Sequence, residues 1–240
     1  MSDSVVRDVS DAELLSTLED LEFEGFEVVE RVKGSNGLWT LTVRRKSGPG
    51  ANHPTPSTNV ASGTQAALIP NQWMPNCVMQ RIICHWTAGA YKASEHDRAA
   101  YHILIEKDGT LVRGNHSIAD NVSTADNVYA RHTKGCNSGS IGITVCCMAD
   151  AHEAPFRPGP SPMTREQWDL LARVAAQLAG RYGIAVTPKT ILGHGEVQEQ
   201  LGKPQEGKWD PMVFPWDPAV PKQEVGRRFR ARVSELLANA

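Results

Sequence analysis

Three residues far apart in this chain carry side chains from which a metal centre can be built. His85 lies in Ile82-Ile83-Cys84-His85-Trp86-Thr87, His194 in Leu192-Gly193-His194-Gly195-Glu196, and Asp210 in Gly207-Lys208-Trp209-Asp210-Pro211. Two imidazoles and a carboxylate form a three-ligand set for zinc, with a fourth position left for water. Zinc held this way polarises a carbonyl and lowers the pKa of water toward about 7, which is the chemistry of metal-assisted hydrolysis. Each residue ends an apolar, strand-like run or sits in a Gly/Pro-rich loop, where active sites are commonly built. Spacing alone leaves the matter open. A single histidine beside an apolar run is more often structural or solvated, and Asp210 follows His194 too distantly for a compact zinc motif.

The elements that must position these residues are read from periodicity. Residues 78–84 form a strand ending at His85, and Thr190 to Leu192 form a short strand ending beside His194. Residues 101–106 and 110–113 are strands around a Lys107-Asp108-Gly109 turn. Residues 141–148 are almost continuously apolar, as expected of a central strand buried on both faces. Residues 94–100 read as a short helix. Thr164 and Gln167 form a capping box ahead of Trp168, Leu171, Ala175, Leu178 and Tyr182 at helical spacing, with Gly183 at the C-cap. Val225, Phe229, Val233 and Leu236 mark a last amphipathic helix. Strands alternating with helices predict an α/β fold, a sheet flanked by helices.

No Lys, Arg, Asp or Glu occurs between Ser47 and Gln80, and the first part of this stretch is rich in Gly, Pro, Ser, Thr and Asn. It reads as a linker over 47–74, with the main core beginning near Leu68. It separates an N-terminal segment, 1–46, from the main domain, 75–240. The segment reads as αββ. Ser10 and Glu13 form a capping-box pattern, Leu14, Leu15, Leu18 and Leu21 share a helical face, and strands over 26–32 and 38–43 flank a Ser35-Asn36-Gly37 turn. So short a segment is marginal as an independent core.

Hydrophobic residues make up 40% and charged residues 22% of the 240, as in ordinary globular domains. The net charge of -2 gives no argument for nucleic acid. No apolar run approaches the roughly 18 residues of a membrane span, so no membrane insertion is expected. The first residues lack a basic start and apolar core, which predicts synthesis in the cytoplasm without a secretory signal. Five cysteines, an odd number, argue against a disulfide framework and read as small buried hydrophobes.

The segments around His85, Tyr101-His102, 137–143, Gly193-His194 and 208–216 occur in the order seen in type 2 N-acetylmuramoyl-L-alanine amidases. The chain resembles this family, which includes phage amidase-type lysozymes and peptidoglycan recognition proteins, over roughly residues 75–220. The resemblance implies a central mixed β-sheet of about five to six strands flanked by helices, one Zn2+ ion, and peptidoglycan as the partner. It implies His85, His194 and Asp210 as metal ligands. It implies catalytic roles for Tyr101 and for Lys208, which would stabilise charge on the reacting carbonyl. His132, Asn137 and Thr144 are expected to contact substrate. Thr144 stands where the cytosolic recycling branch carries a Glu, so a general base at that position is missing, which favours the branch that uses Tyr101. His102 should face away from Tyr101 and is read as structural. Glu196 and His116 are read as surface or supporting residues. Arg227, Arg228, Arg230 and Arg232 make the last helix basic, either as a solvated face or as an attraction to an anionic cell wall.

The expected activity is cleavage of the amide between N-acetylmuramic acid and the L-alanine of the stem peptide. The expected context is a phage or prophage endolysin that acts on the cell wall after release or from a virion. Residues 1–46 would then bind a virion, cell-wall or regulatory partner. The alternatives are a cytosolic anhydro-muropeptide recycling amidase and a noncatalytic peptidoglycan-binding protein.

Overall fold

The computed structural model describes Ser4–Val9, Leu14, Leu18, 26–45 and 68–239. The chain divides into two compact units, Met1–Gly63 and Thr64–Ala240.

In the first unit, β1 (Ser4–Val9), β2 (Phe26–Lys33) and β3 (Trp39–Arg45) form an antiparallel sheet in the order β1-β3-β2. The hairpin turn forms as its Asn-Gly pair predicts. Gly37 adopts φ +79°, and the Leu38 N–H donates to Asn36 Oδ1. Leu41 and Val43, two apart on β3, are buried against Val28, Trp39 and the helical residues Leu14 and Leu18. The expected αββ pattern omits β1. A two-stranded hairpin is marginal alone, and β1 gives β3 a partner on its second edge. The capping box at Ser10 and Glu13, along with Leu15 and Leu21, lies outside the described residues.

The second unit is built on a five-stranded sheet in the order β6-β5-β7-β4-β8. Its strands are β4 (Arg81–Trp86), β5 (Ile103–Ile105), β6 (Leu111–Arg113), β7 (Ser140–Val145) and β8 (Ile191–Gly193). All pairings are parallel except the β5–β6 hairpin, so the sheet is mixed. β7 is buried along its whole length, which is why it reads as continuously apolar. Strand ends shift by a few residues from those expected; Val78, for instance, is exposed and precedes β4.

The helices are α1 (Glu95–Ala100), α2 (Arg165–Tyr182), α3 (Val197–Leu201) and α4 (Lys222–Ala238). Thr164 caps α2 with Gln167 as a capping box, and Gly183 closes it at φ +64°. Alternate β4 side chains divide the core. Ile82, Cys84 and Trp86 join the cluster containing α2 and α4, while Ile83 packs with Cys136, Leu192 and Val197 on the opposite face. The expected linker is shorter than 47–74. Ile69 is fully buried, with its N–H donating to Gln177 Oε1 at 3.0 Å, so 68–74 belong to the domain. Residues 46–67 lie outside the described residues. All five cysteines are free, four of them buried.

The arginines of α4 are paired with carboxylates. Arg227 and Arg228 meet Glu224, Arg232 meets Asp169 and Glu235, and Arg230 meets Glu196. The last pair is bidentate at 3.0 Å for both bonds, and the same carboxylate accepts the Gly193 N–H at 2.9 Å. Glu196 is therefore a buried clamp between α4 and the end of β8, beside His194. Arg230→Met would leave that carboxylate buried without its cation. The expected loss is about 3 kcal/mol of unfolding free energy, seen as a lower urea midpoint. An unchanged midpoint would show that the clamp adds no stability.

Candidate active site

The parallel pairing of β4 with β8 sets the two histidines side by side. Cys84 is in register with Gly193, so the next residues, His85 and His194, emerge together at the carboxyl ends of adjacent strands. Open α/β sheets bind ligands at such strand ends. The ring centroids are 4.7 Å apart. Asp210 arrives on the segment before α4, where its carbonyl accepts the Gly195 N–H at 2.7 Å. This approach requires glycine. A Cβ on Gly195 would lie 3.0 Å from Trp209 Cα, and one on Gly193 would lie 2.5 Å from Met212 Sδ. Trp209 packs edge-on against Trp86 at 4.6 Å, so the neighbours of Asp210 and His85 brace each other.

The three side chains converge. His85 Nδ1 lies 3.1 Å from Asp210 Oδ2, and His194 Nδ1 lies 3.3 Å from the same carboxylate. One ligand atom from each can be chosen with all three within 4.8 Å of one another. Burial pushes His85 down to about 4 against the raising contact from Asp210, so its imidazole is neutral at pH 7. Burial opposes ionisation of Asp210, but the contacts from His194 and His85 outweigh it and hold its carboxyl well below the usual range. Two imidazole nitrogens and an ionised carboxylate therefore face one point. With the imidazole protons on the distal nitrogens, the two Nδ1 lone pairs and the carboxylate form a three-donor set that fits a zinc ion.

The distal nitrogens are held as well. His194 Nε2 lies 2.8 Å from Gln205 Oε1, and His85 Nε2 lies 3.4 Å from Thr133 Oγ1. Neither Gln205 nor Thr133 stands out in the sequence, since a Gln in a polar loop and a Thr before a Lys have no periodicity. The only available signal is the general rule that ligating histidines need a partner on the other nitrogen.

Tyr101 follows α1, with its ring centroid 5.0 Å from that of His85. Burial, and next the charge of Asp210, push its hydroxyl well above the usual tyrosine range, so it remains protonated. Lys208 is exposed, and its charge is near enough to depress His85. No hydrogen bond or ion pair engages its ammonium among the described residues.

Of the three residues expected to contact substrate, Thr144 and His132 are buried and Asn137 is half-buried. Thr144 is in register with His85 on the neighbouring β7, but it has no exposed surface because both sheet faces are covered there. His132 is buried between His85 and His102, with ring centroids at 5.4 and 5.7 Å, and supports the site from behind. Asn137 Oδ1 accepts the Thr133 N–H at 2.8 Å, which closes the loop that carries Thr133. His116 is a surface residue, 3.7 Å from Asp120.

His102 is structural, as expected. Its Nδ1 accepts the Gly142 N–H at 2.9 Å, and its Nε2–H donates to Asn121 Oδ1 at 3.1 Å. Burial pushes its pKa down to about 4. An unfolded histidine titrates near 6.5, so as pH falls the unfolded chain takes up this proton first. The stability is complete above about pH 6.5 and is lost progressively as pH falls toward 4. Between pH 7 and pH 5 the loss should be about 2 kcal/mol. Urea titrations at both pH values should show this slope reduced in His102→Gln; an equal slope would refute the assignment.

Residues 75–212 match the N-acetylmuramoyl-L-alanine amidase family, a span of more than half the chain. A search of the curated proteins gives no match. The matched span contains β4, β7, β8 and all three converging residues. With that span and the fold it encloses, the chain belongs to the N-acetylmuramoyl-L-alanine amidase family and is an amide hydrolase of peptidoglycan.

Proposed function

We propose that the chain is a zinc-dependent N-acetylmuramoyl-L-alanine amidase holding one ion through His85, His194 and Asp210. The observation that carries this reading is the convergence, within 4.8 Å, of one ligand atom from each of Asp210 and the two histidines that emerge from adjacent parallel strands. Bound there, zinc would supply Lewis-acid polarisation of the scissile carbonyl and a lowered pKa for water. Asp210 contributes the negative charge of the ligand set, which a divalent ion would exceed. Tyr101, a protonated phenol beside His85, donates a hydrogen bond to the carbonyl oxygen as negative charge develops. The exposed ammonium of Lys208 complements the same charge from the solvent side. One well-placed donor of this kind is worth about 3 kcal/mol in the transition state.

The cellular setting we favour is lysis, with the chain acting as a phage or prophage endolysin on intact cell wall. Two features support it. Thr144 offers no carboxylate at the position where the recycling branch carries a Glu. The chain also carries a separate N-terminal unit, for which a virion, cell-wall or regulatory partner is proposed. Among the described residues no helix is long and apolar enough to cross a membrane.

The test uses the full chain with intact sacculi and with anhydro-muropeptides. Stem-peptide release should stop on chelation, return with zinc, and be lost in Asp210→Ala. Release that is insensitive to chelator would sink the zinc reading, and action confined to anhydro-muropeptides would sink the lytic one. Tyr101→Phe should lower kcat by roughly 10²–10³-fold with little change in KM. A fall confined to KM would place Tyr101 in substrate binding alone.

A further inference from the structure

We infer that Gln205 is a positioning residue that fixes the proton of His194 on Nε2 and so commits Nδ1 to the metal. Its consequence for zinc rests on the reading above, but the proton position follows from the amide's own partners. Gln205 is buried in the loop between α3 and Asp210. Its Nε2 faces two main-chain carbonyls, those of Lys134 at 3.0 Å and Lys203 at 3.2 Å. Carbonyls only accept, so the NH2 end of the amide must point toward them. The oxygen end is thereby turned to His194 Nε2, 2.8 Å away. An amide oxygen also only accepts, so His194 Nε2 must donate. A neutral imidazole has one N–H, which leaves Nδ1 as a lone pair aimed at the ligand point. Turning the amide over would set its oxygen against two carbonyls in a buried site, at the cost of several lost hydrogen bonds.

The amide is held on all sides. The Gln205 N–H donates to Gln198 Oε1 of α3 at 3.2 Å. The Lys134 ammonium pairs with Glu206, the next residue, which fastens the same two loops together. Lys134 directly follows Thr133, whose hydroxyl contacts His85 Nε2. One loop therefore restrains the distal nitrogens of both histidines, directly for His85 and through Gln205 for His194. The competing arrangement explains why this matters. With its proton on Nδ1, His194 would donate to Asp210, 3.3 Å away, and two of the three ligands would satisfy each other. Gln205 selects against that self-satisfied pair.

The test combines the full chain labelled with 15N-histidine, zinc-free at pH 8, with zinc affinity measured by competition against a chromophoric chelator. Wild-type His194 should show the Nε2–H coupling pattern. Gln205→Met, similar in volume but without the acceptor, should shift His194 toward Nδ1–H and bind zinc ~10–100-fold more weakly. Gln205→Glu keeps an acceptor oxygen and should retain the Nε2–H pattern, with a smaller loss. A zinc-free wild type with the proton on Nδ1 overturns the inference whether or not either variant folds. A folded Gln205→Met that matches wild-type affinity within about twofold also overturns it. A wild type with Nε2–H that takes up no zinc would instead defeat the zinc reading and leave the tautomer assignment standing.

Discussion

Three electron-pair donors are held closer together than their own chemistry favours. Two imidazole nitrogens and an ionised carboxylate, within 4.8 Å of one another and shielded from water, are left unpaired by one another once the imidazole protons sit on the distal nitrogens. Buried polar groups in that state cost free energy until something pairs them. The surrounding structure keeps the three from relaxing apart. The β4–β8 register fixes the spacing of the histidines, and the glycines around His194 admit the Asp210 segment. Trp209 against Trp86, and Glu196 between Arg230 and Gly193, brace the backbone on either side. The fold gathers a donor set that could hold a metal ion.

Much of this arrangement was legible in the chain because it rests on local rules. Period-2 burial, one continuous apolar strand, a capping box and a C-cap glycine locate the sheet and the long helices. Ligand types at strand ends locate the metal-binding candidates. Strand β1 is less visible, since its pairing with β3 depends on residues thirty or more positions away. Resemblance carried over positions but not exposure. Thr144 and His132 lie beside His85, yet both are buried, while Asn137 is half-buried and closes the Thr133 loop. Gln205 and Glu196 act through geometry that exists only after the loops have closed.

The site also has two sides of different character. On the buried side, His102, His132, Thr133 and Gln205 hold rings in place and are themselves held by hydrogen bonds. On the open side, Tyr101 is only partly covered and Lys208 is exposed. Rigid groups hold the three converging side chains, and the groups nearer solvent are less constrained. Arg230 of α4 belongs to the rigid side. A row that reads as a basic surface consists of ion pairs, one of which reaches the end of β8.

The contact between His85 and Asp210 joins residues 125 positions apart, across a sheet in which β7, β4 and β8 are neighbours. Short-range metal motifs can capture an ion on a nascent or collapsed chain and then drive folding. This centre has no such foothold, because no two of its ligands share a helix or a hairpin. Long-range closure must be completed first, and such topologies fold slowly. Uptake of the ion would therefore be the last event in maturation, and a chain that stalls on the way would carry no hydrolytic activity against the wall of the cell that made it.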